Sequence, residues 1–411
     1  MHSLKFLLPL SLLAQSASAT IRFGCSQLVT QRFDPLVTPG EVAPHVHQII
    51  GGNAFNLSMD PNEDYAETAT CTTCRFKEDK SNYWTAVLYF KHSNGSYIRV
   101  PQKPNHLVGD TKGGHTVYYI AGYPPFQKVT AFAKGFRMIT GNPMIRTKGD
   151  RDPNDVTSNA ITFRCWTSDE WLGPSNLLAP GVGEYDSVGL PTKFCPSGIR
   201  SNIFFPTCWD GKNLDSPDHF SHMAYPTGPV DSRLGIIWHE GPCPATHPVK
   251  VPTILYEIAW DTAIFKDDWP TDGSQPLIMS MGDPTGFGQH GDYVFGWEGD
   301  SLQRAMDNCK DSFGTPENCP ELTLLTDEEM NSCTQPALVP EKVEGEYISA
   351  LPGCNPEQHG PEPATMVPNC GAPSTTIGAV PTQSYTAPPI LPSANCVPGV
   401  VWTPNGILSP R

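Results

Sequence analysis

The chain has 411 residues, with 27 Lys and Arg against 42 Asp and Glu, and a formal net charge of -15. No basic field is available to displace counterions from phosphate, which excludes nucleic-acid binding as a main activity. The 36 glycines and 43 prolines, with little helical periodicity, favour short strands joined by long loops.

In chain order, Lys5 precedes an apolar run that closes on Ala17-Ser18-Ala19, the pattern of a secretory signal peptide over residues 1–19. No later apolar run approaches the ~20 residues needed to span a bilayer. The expected address is therefore outside the cell or in a cell wall. Thirteen cysteines suit that compartment, giving up to six bridges with Cys396 left over. Asn56-Leu-Ser and Asn94-Gly-Ser are glycosylation acceptors.

Residues 20–320 read as one large domain. Strands are expected over 83–91, 96–101, 115–121, 160–166 and 253–260, where apolar and β-branched residues cluster. In 83–90 both alternating sets are apolar enough to be buried. Asn94-Gly95 between two such runs predicts a hairpin. Only two short helices are expected, over 301–309 and 327–332. Residues 321–372 bury too little to stand alone and need their cysteines or the main domain, whereas 373–411, rich in Pro, Ser and Thr, read as a disordered or extended tail. The fold class expected is mainly β: a jelly-roll-like β-sandwich with long loops and few short helices, braced by disulfides.

Chemistry-bearing residues concentrate in residues 208–226, which hold Trp209, Asp210, Asp215, Asp218, His219, His222 and Tyr225. A second block, 282–297, holds Asp283, His290, Asp292 and Trp297. Paired carboxylates are what glycoside hydrolysis requires, one to protonate the leaving oxygen and one to attack or activate water. A lyase would instead need a base such as His219 or Tyr225, with a cation to neutralise a uronate. In the enzymatic reading Asp210, Asp218, His219, His222 and Tyr225 are catalytic. Trp209, Arg32, His45, His47, Asp283, His290 and Trp297 form the substrate-binding set.

A different chemistry comes from the histidines. His45 and His47, two apart, share a face in extended chain, and His219 and His222, three apart, meet on a helical turn. With His247, Asp218 and His290 these could converge on a divalent metal such as zinc, copper or manganese, although the sequence requires no cofactor. The competing reading is that the acids shape Asx-turns and the histidines brace loops. Cys71-Thr-Thr-Cys74 reads as structural bridging in a secreted chain. No phosphate loop, Gly-x-Ser-x-Gly elbow or His-Glu-x-x-His is found.

Several runs carry a family resemblance. Arg32-Phe-Asp-Pro-Leu-Val-Thr-Pro-Gly40, His45-Val-His47, Asp79-Lys-Ser-Asn-Tyr-Trp84, Ser216-Pro-Asp-His-Phe-Ser-His-Met-Ala-Tyr-Pro226 and Gly282-Asp-Pro-Thr-Gly-Phe-Gly-Gln-His-Gly-Asp292 occur in order. This arrangement resembles the fungal secreted DUF1996 domain, a family of unknown function. The resemblance implies an address and a domain but no reaction. The expectation is thus a secreted or wall-associated protein acting on or binding cell-wall polysaccharide. The alternatives are a non-catalytic wall module and a histidine-based metal-binding protein.

Overall fold

The computed structural model describes residues 20–103, 113–121, 128–147, 159–168, 175, 180–181, 184–228, 241–311 and 313–367, and the backbone of two short paired strands, Val400–Trp402 and Leu408–Pro410. The expected signal peptide, Cys370, Cys396 and most of the expected tail lie outside these residues. Among the described residues, no helix is long and apolar enough to cross a membrane.

The main strands run in chain order Thr20–Gln31 (β1), His47–Gly51 (β2), Asn82–Ala86 (β3), Leu88–Lys91 (β4), Tyr97–Arg99 (β5), Gly114–Ile120 (β6), Arg137–Gly141 (β7) and Ile161–Cys165 (β8). They continue with Asp186–Ser187 (β9), Ile199–Phe204 (β10), Cys208–Trp209 (β11), Met223–Ala224 (β12), Val249–Lys250 (β13), Thr253–Trp260 (β14), Leu277–Met279 (β15) and His290–Val294 (β16). Ten of them form one antiparallel sheet in the order β7-β16-β3-β2-β1-β6-β14-β10-β8-β9.

The long β1 divides this sheet. Its first half pairs with β6 and its second with β2, with a register irregularity between Gln27 and Val29. A bulge of this kind bends a strand and sharpens its twist. The sheet therefore curls over, and its two leaves meet face to face. Tyr83 of β3 lies 5.7 Å from Tyr256 of β14 between ring centroids, and the Tyr119 hydroxyl on β6 donates to that of Tyr293 on β16 at 3.0 Å.

Mainly β structure, disulfide bracing and few short helices are as expected. The expected 83–91 strand is interrupted at Val87: β3 stays in the large sheet, while β4 leaves it to pair with β15 and β5. The Asn94-Gly95 hairpin joins β4 to β5, with Gly95 at φ 85°, a conformation that glycine adopts without strain. Both helices form, at Ser301–Asn308 and Asp327–Ser332. The strands β1, β7, β10 and β16 were not anticipated, and β2 only as the extended chain carrying His45 and His47.

Five disulfides are formed between described cysteines: Cys25–Cys74, Cys71–Cys333, Cys165–Cys195, Cys208–Cys243 and Cys309–Cys319. Cys71 and Cys74 thus serve two separate bridges, as structural cysteines. Cys354 is disulfide-bonded as well. The bridge from Cys71 to Cys333 ties the C-terminal extension to the sheet, and Arg32–Glu341, at 2.5 Å and buried, ties it a second time.

Alternation along β3 sends Tyr83 and Thr85 into the space between the leaves and Trp84 and Ala86 to the outer face of the second leaf. The inner core is partly polar. The Tyr83 hydroxyl donates to Asp79 at 2.6 Å and lies 2.9 Å from the Tyr119 hydroxyl. Burial pushes the Asp79 carboxyl up from 3.8 to about 7, against the hydrogen bonds from Tyr83 and Ser81. The outer face carries a second apolar cluster, with Trp84, Ile49 and Val294 packed beneath Phe33, Leu36 and Phe55. Both faces of this leaf are therefore covered, which accounts for the absence of a polar set in the 83–86 sequence.

A carboxyl group whose pKa is raised by folding favours the folded state while it is protonated. The contribution of Asp79 is complete below 3.8 and is lost as pH rises through about 7. Wild type should accordingly lose on the order of 4 kcal/mol relative to Asp79→Asn between pH 4 and 8. Denaturant unfolding of both proteins across that range checks this; parallel curves would contradict it.

Candidate metal centre

The candidate site is built on the outer face of the second leaf by three adjacent strands. β3 lies between β2 and β16, and His47 pairs with Ala86 across one ladder. In the other ladder Gly291 pairs with Thr85, so His290 falls one register step on, on the far side of Ala86. Adjacent strands are about 4.8 Å apart, so two imidazoles on the outer strands can close over a small residue on the middle one. Ala86, fully buried, leaves that space. His45 stands just before β2, with its ring centroid 4.3 Å from that of His47.

The Nε2 atom of His290 lies 3.2 Å from Nε2 of His45 and 3.3 Å from Nε2 of His47. Among the described residues these three form the group of His, Cys, Asp or Glu side chains whose ligand atoms all lie within 4.8 Å of one another. They are 6 %, 0 % and 2 % exposed, too buried for free imidazolium. Burial pushes His45 and His47 well below the usual histidine range, and neighbouring imidazoles add to the shift. Burial lowers His290 to about 4, against its hydrogen bond to the Gly288 carbonyl. All three rings are therefore neutral at ordinary pH.

His290 Nδ1 donates to the Gly288 carbonyl at 3.0 Å, which leaves Nε2 as a bare lone pair. One lone pair cannot accept well-aligned hydrogens from two imidazoles at once. A cation at the centre of the group removes that conflict. Nitrogens bound at 2.0–2.1 Å to a tetrahedral ion lie about 3.3 Å apart, the spacing of His290 Nε2 to each of the other two.

Two acids extend the site along the same face. Asp292, two residues beyond His290 on β16, is fully buried, and neither of its carboxylate oxygens has a hydrogen-bond partner. Its Oδ2 lies 4.0 Å from His290 Nε2. Burial, then the nearby Asp34, pushes its carboxyl well above the usual range. Asp34, which accepts from the Leu36 and Val37 amides at 3.2 Å, is raised by burial to about 6.

The loop carrying His45 is held from several sides. Arg32 donates to the Ala43 carbonyl at 2.9 Å as well as pairing with Glu341. In the extension, Asn355 donates to Pro44 O at 2.9 Å. Gly353, at φ 78°, sits so close that an added Cβ would come within 1.8 Å of that carbonyl. The buried Arg146 donates to the carbonyls of Gln358 and Met281 and lies 3.6 Å from Asp283.

The stretch 208–226 flanks this face without joining the three-histidine group. Leu214 and His219 carbonyls accept from Arg137 and Ile139 of β7, which docks the loop along the sheet edge, and Cys208–Cys243 pins its start. Asp210 caps a turn through the Lys212 and Asn213 amides, and Asp218 does so through the Phe220 and Ser221 amides. The hydrogen bond from the Ser221 amide is the main reason that Asp218 stays well below the usual carboxylate range, so it is not a reservoir of protons. His219, at φ 54°, donates to Asp215 at 2.6 Å, and this bond raises its pKa.

His222 Nδ1 lies 2.8 Å from Ser216 Oγ, and His247 Nε2 donates to the Ser221 carbonyl at 3.0 Å. Tyr225 donates to the Phe204 carbonyl at 2.7 Å. Trp209 donates to the Asn213 carbonyl at 2.6 Å and packs against Phe136. Asp283 accepts from Thr285 and from the Gly288 amide. Trp297 is buried in the inner core against Tyr119, out of reach of a ligand in solvent.

Of the six histidines expected to converge, His45, His47 and His290 share a site, while His219, His222 and His247 engage loop partners. His290 is also one of the expected substrate contacts, and Asp292 is expected among the carboxylates of the 282–297 block rather than beside a metal. Asp34, Ala86 and Arg146 were missed. The His290-Gly-Asp292 spacing is a readable signal, since positions two apart on a strand share a face. Asp218→Ala should cost about 1 kcal/mol through its lost turn bonds. Thermal unfolding checks this, and a change of several kcal/mol would contradict a turn-capping role.

No curated protein and no solved structure matches the chain significantly. A family model does match, over residues 34–297, a span that includes every residue of the three-histidine group and Asp292 and ends before the C-terminal extension. The chain belongs to the family described as domain of unknown function DUF1996.

Proposed function

We propose that this protein binds one divalent first-row transition-metal ion, zinc or copper, through Nε2 of His45, His47 and His290. The observation that carries the reading is the convergence of three buried, neutral imidazole nitrogens at 3.2 and 3.3 Å around a point that hydrogen bonding alone cannot satisfy. Imidazole donors favour zinc and copper over calcium or magnesium, which take oxygen ligands. The Nδ1–H of His290, fixed on the Gly288 carbonyl, is the kind of outer contact that orients a metal-ligating histidine. The disulfide-bonded cysteines support an extracellular setting, where the ion would be captured from the medium or loaded during secretion.

Protein purified without chelators or affinity-column metals should contain about one zinc or copper ion per chain by elemental analysis. After chelation, returning the ion at a hundredfold its dissociation constant should stabilise the fold by about 3 kcal/mol, read as a rise in unfolding temperature. His47→Ala and His290→Ala should abolish that rise. Metal-free wild type whose unfolding is indifferent to both ions would sink the proposal.

A further inference from the structure

Asp292 distinguishes itself from the other buried acids. Asp34 accepts from two backbone amides, Asp79 from Tyr83 and Ser81, Asp283 from Thr285 and Gly288, and Asp186 is paired with Arg164. Asp292 is as deeply buried as these, yet both of its oxygens lack a donor. A buried acceptor left unpaired is costly, so this carboxylate is placed for a group that the described residues do not provide.

Its position identifies that group. Asp292 projects from the same face of β16 as His290, with Oδ2 4.0 Å from Nε2. It stands outside the set of ligand atoms that all lie within 4.8 Å of one another, so it does not close the ring of nitrogens directly. Three protein nitrogens leave a tetrahedral ion with one open position, the arrangement of exchanging rather than structural sites. A ligand in that position next to Asp292 would meet an acceptor with no hydrogen of its own when ionised, and would be matched by carrying one.

Resting on the metal reading above, we infer that the fourth position of the centre takes a neutral hydroxylic ligand, water or the hydroxyl of an alcohol or sugar, with Asp292 as its hydrogen-bond acceptor. Asp292 is a positioning residue in this arrangement. Ionised only beside the bound cation, Asp292 would then select against anions, which would otherwise bind readily to a cation with three neutral ligands.

The test uses the full chain loaded with copper(II) alone, with metal content measured in parallel, and azide as the anionic probe followed by absorption and electron paramagnetic resonance. Wild type should bind azide weakly. Asp292→Asn, nearly isosteric, should keep one copper per chain and bind azide at least tenfold more tightly. Loss of copper from the variant would make Asp292 a direct ligand, and unchanged azide affinity would deny it any role at the open position; either result overturns the inference. Should the variant fail to fold, wild type in heavy water decides: electron–nuclear double resonance should find exchangeable protons on the copper-bound ligand, and their absence would overturn the inference. Wild type that takes up no copper refutes the metal reading itself, a separate outcome.

Discussion

Two imidazole nitrogens press on a third, and the third has one lone pair to offer. Much of the second leaf follows from keeping those three rings together. β3 must run between β2 and β16 and must carry Ala86 where the rings close over it. The loop before β2 must turn His45 back over His47, and Arg32, Glu341, Gly353 and Asn355 hold that loop in place. The C-terminal extension, which lies beyond the residues matched by the family, is thus part of the wall around the site. Its attachment through Cys71–Cys333 fixes one end of that wall covalently.

Electrostatics on this face favour a cation. Two carboxyl groups, Asp34 and Asp292, are both pushed up by burial, with Asp34 adding to the shift at Asp292, so each resists ionising without a positive partner. The three histidines resist the opposite change, because burial opposes their protonation. A desolvated region with neutral nitrogens and reluctant acids gains from a divalent ion more than from any charge change of its own side chains. Arg146 donates to the carbonyls of Gln358, Met281 and Pro143, and Arg32 to Ala43 and Glu341, while both charges still reach His45 and add to the lowering of its pKa.

The sequence was most informative where local rules dominate. Alternation from Tyr83, the Asn94-Gly95 turn, the 253–260 strand and both short helices are local signals, and they are present in the fold. The strands around the site were harder to see because the site itself disturbs the pattern. β16 begins with His-Gly-Asp, polar residues that read as loop, and β2 with His-Gln, and both are buried by the covering segments. The density of acids and histidines in 208–226 pointed to that stretch, yet density along the chain is not proximity in space. Its side chains mostly satisfy one another and nearby backbone, whereas the site draws on strands 243 residues apart in sequence. The pairing of His47 and His290 depends on sheet order, which the bend in β1 helps to set and which no local signal encodes.

The measurement that bears most directly on this account is X-ray diffraction from crystals of the full chain grown with zinc or copper, recorded on both sides of the metal absorption edge. One anomalous peak per chain is expected about 2.0–2.1 Å from Nε2 of His45, His47 and His290. No peak at that point, with His290 Nε2 still 3.2 and 3.3 Å from Nε2 of His45 and His47, would contradict it.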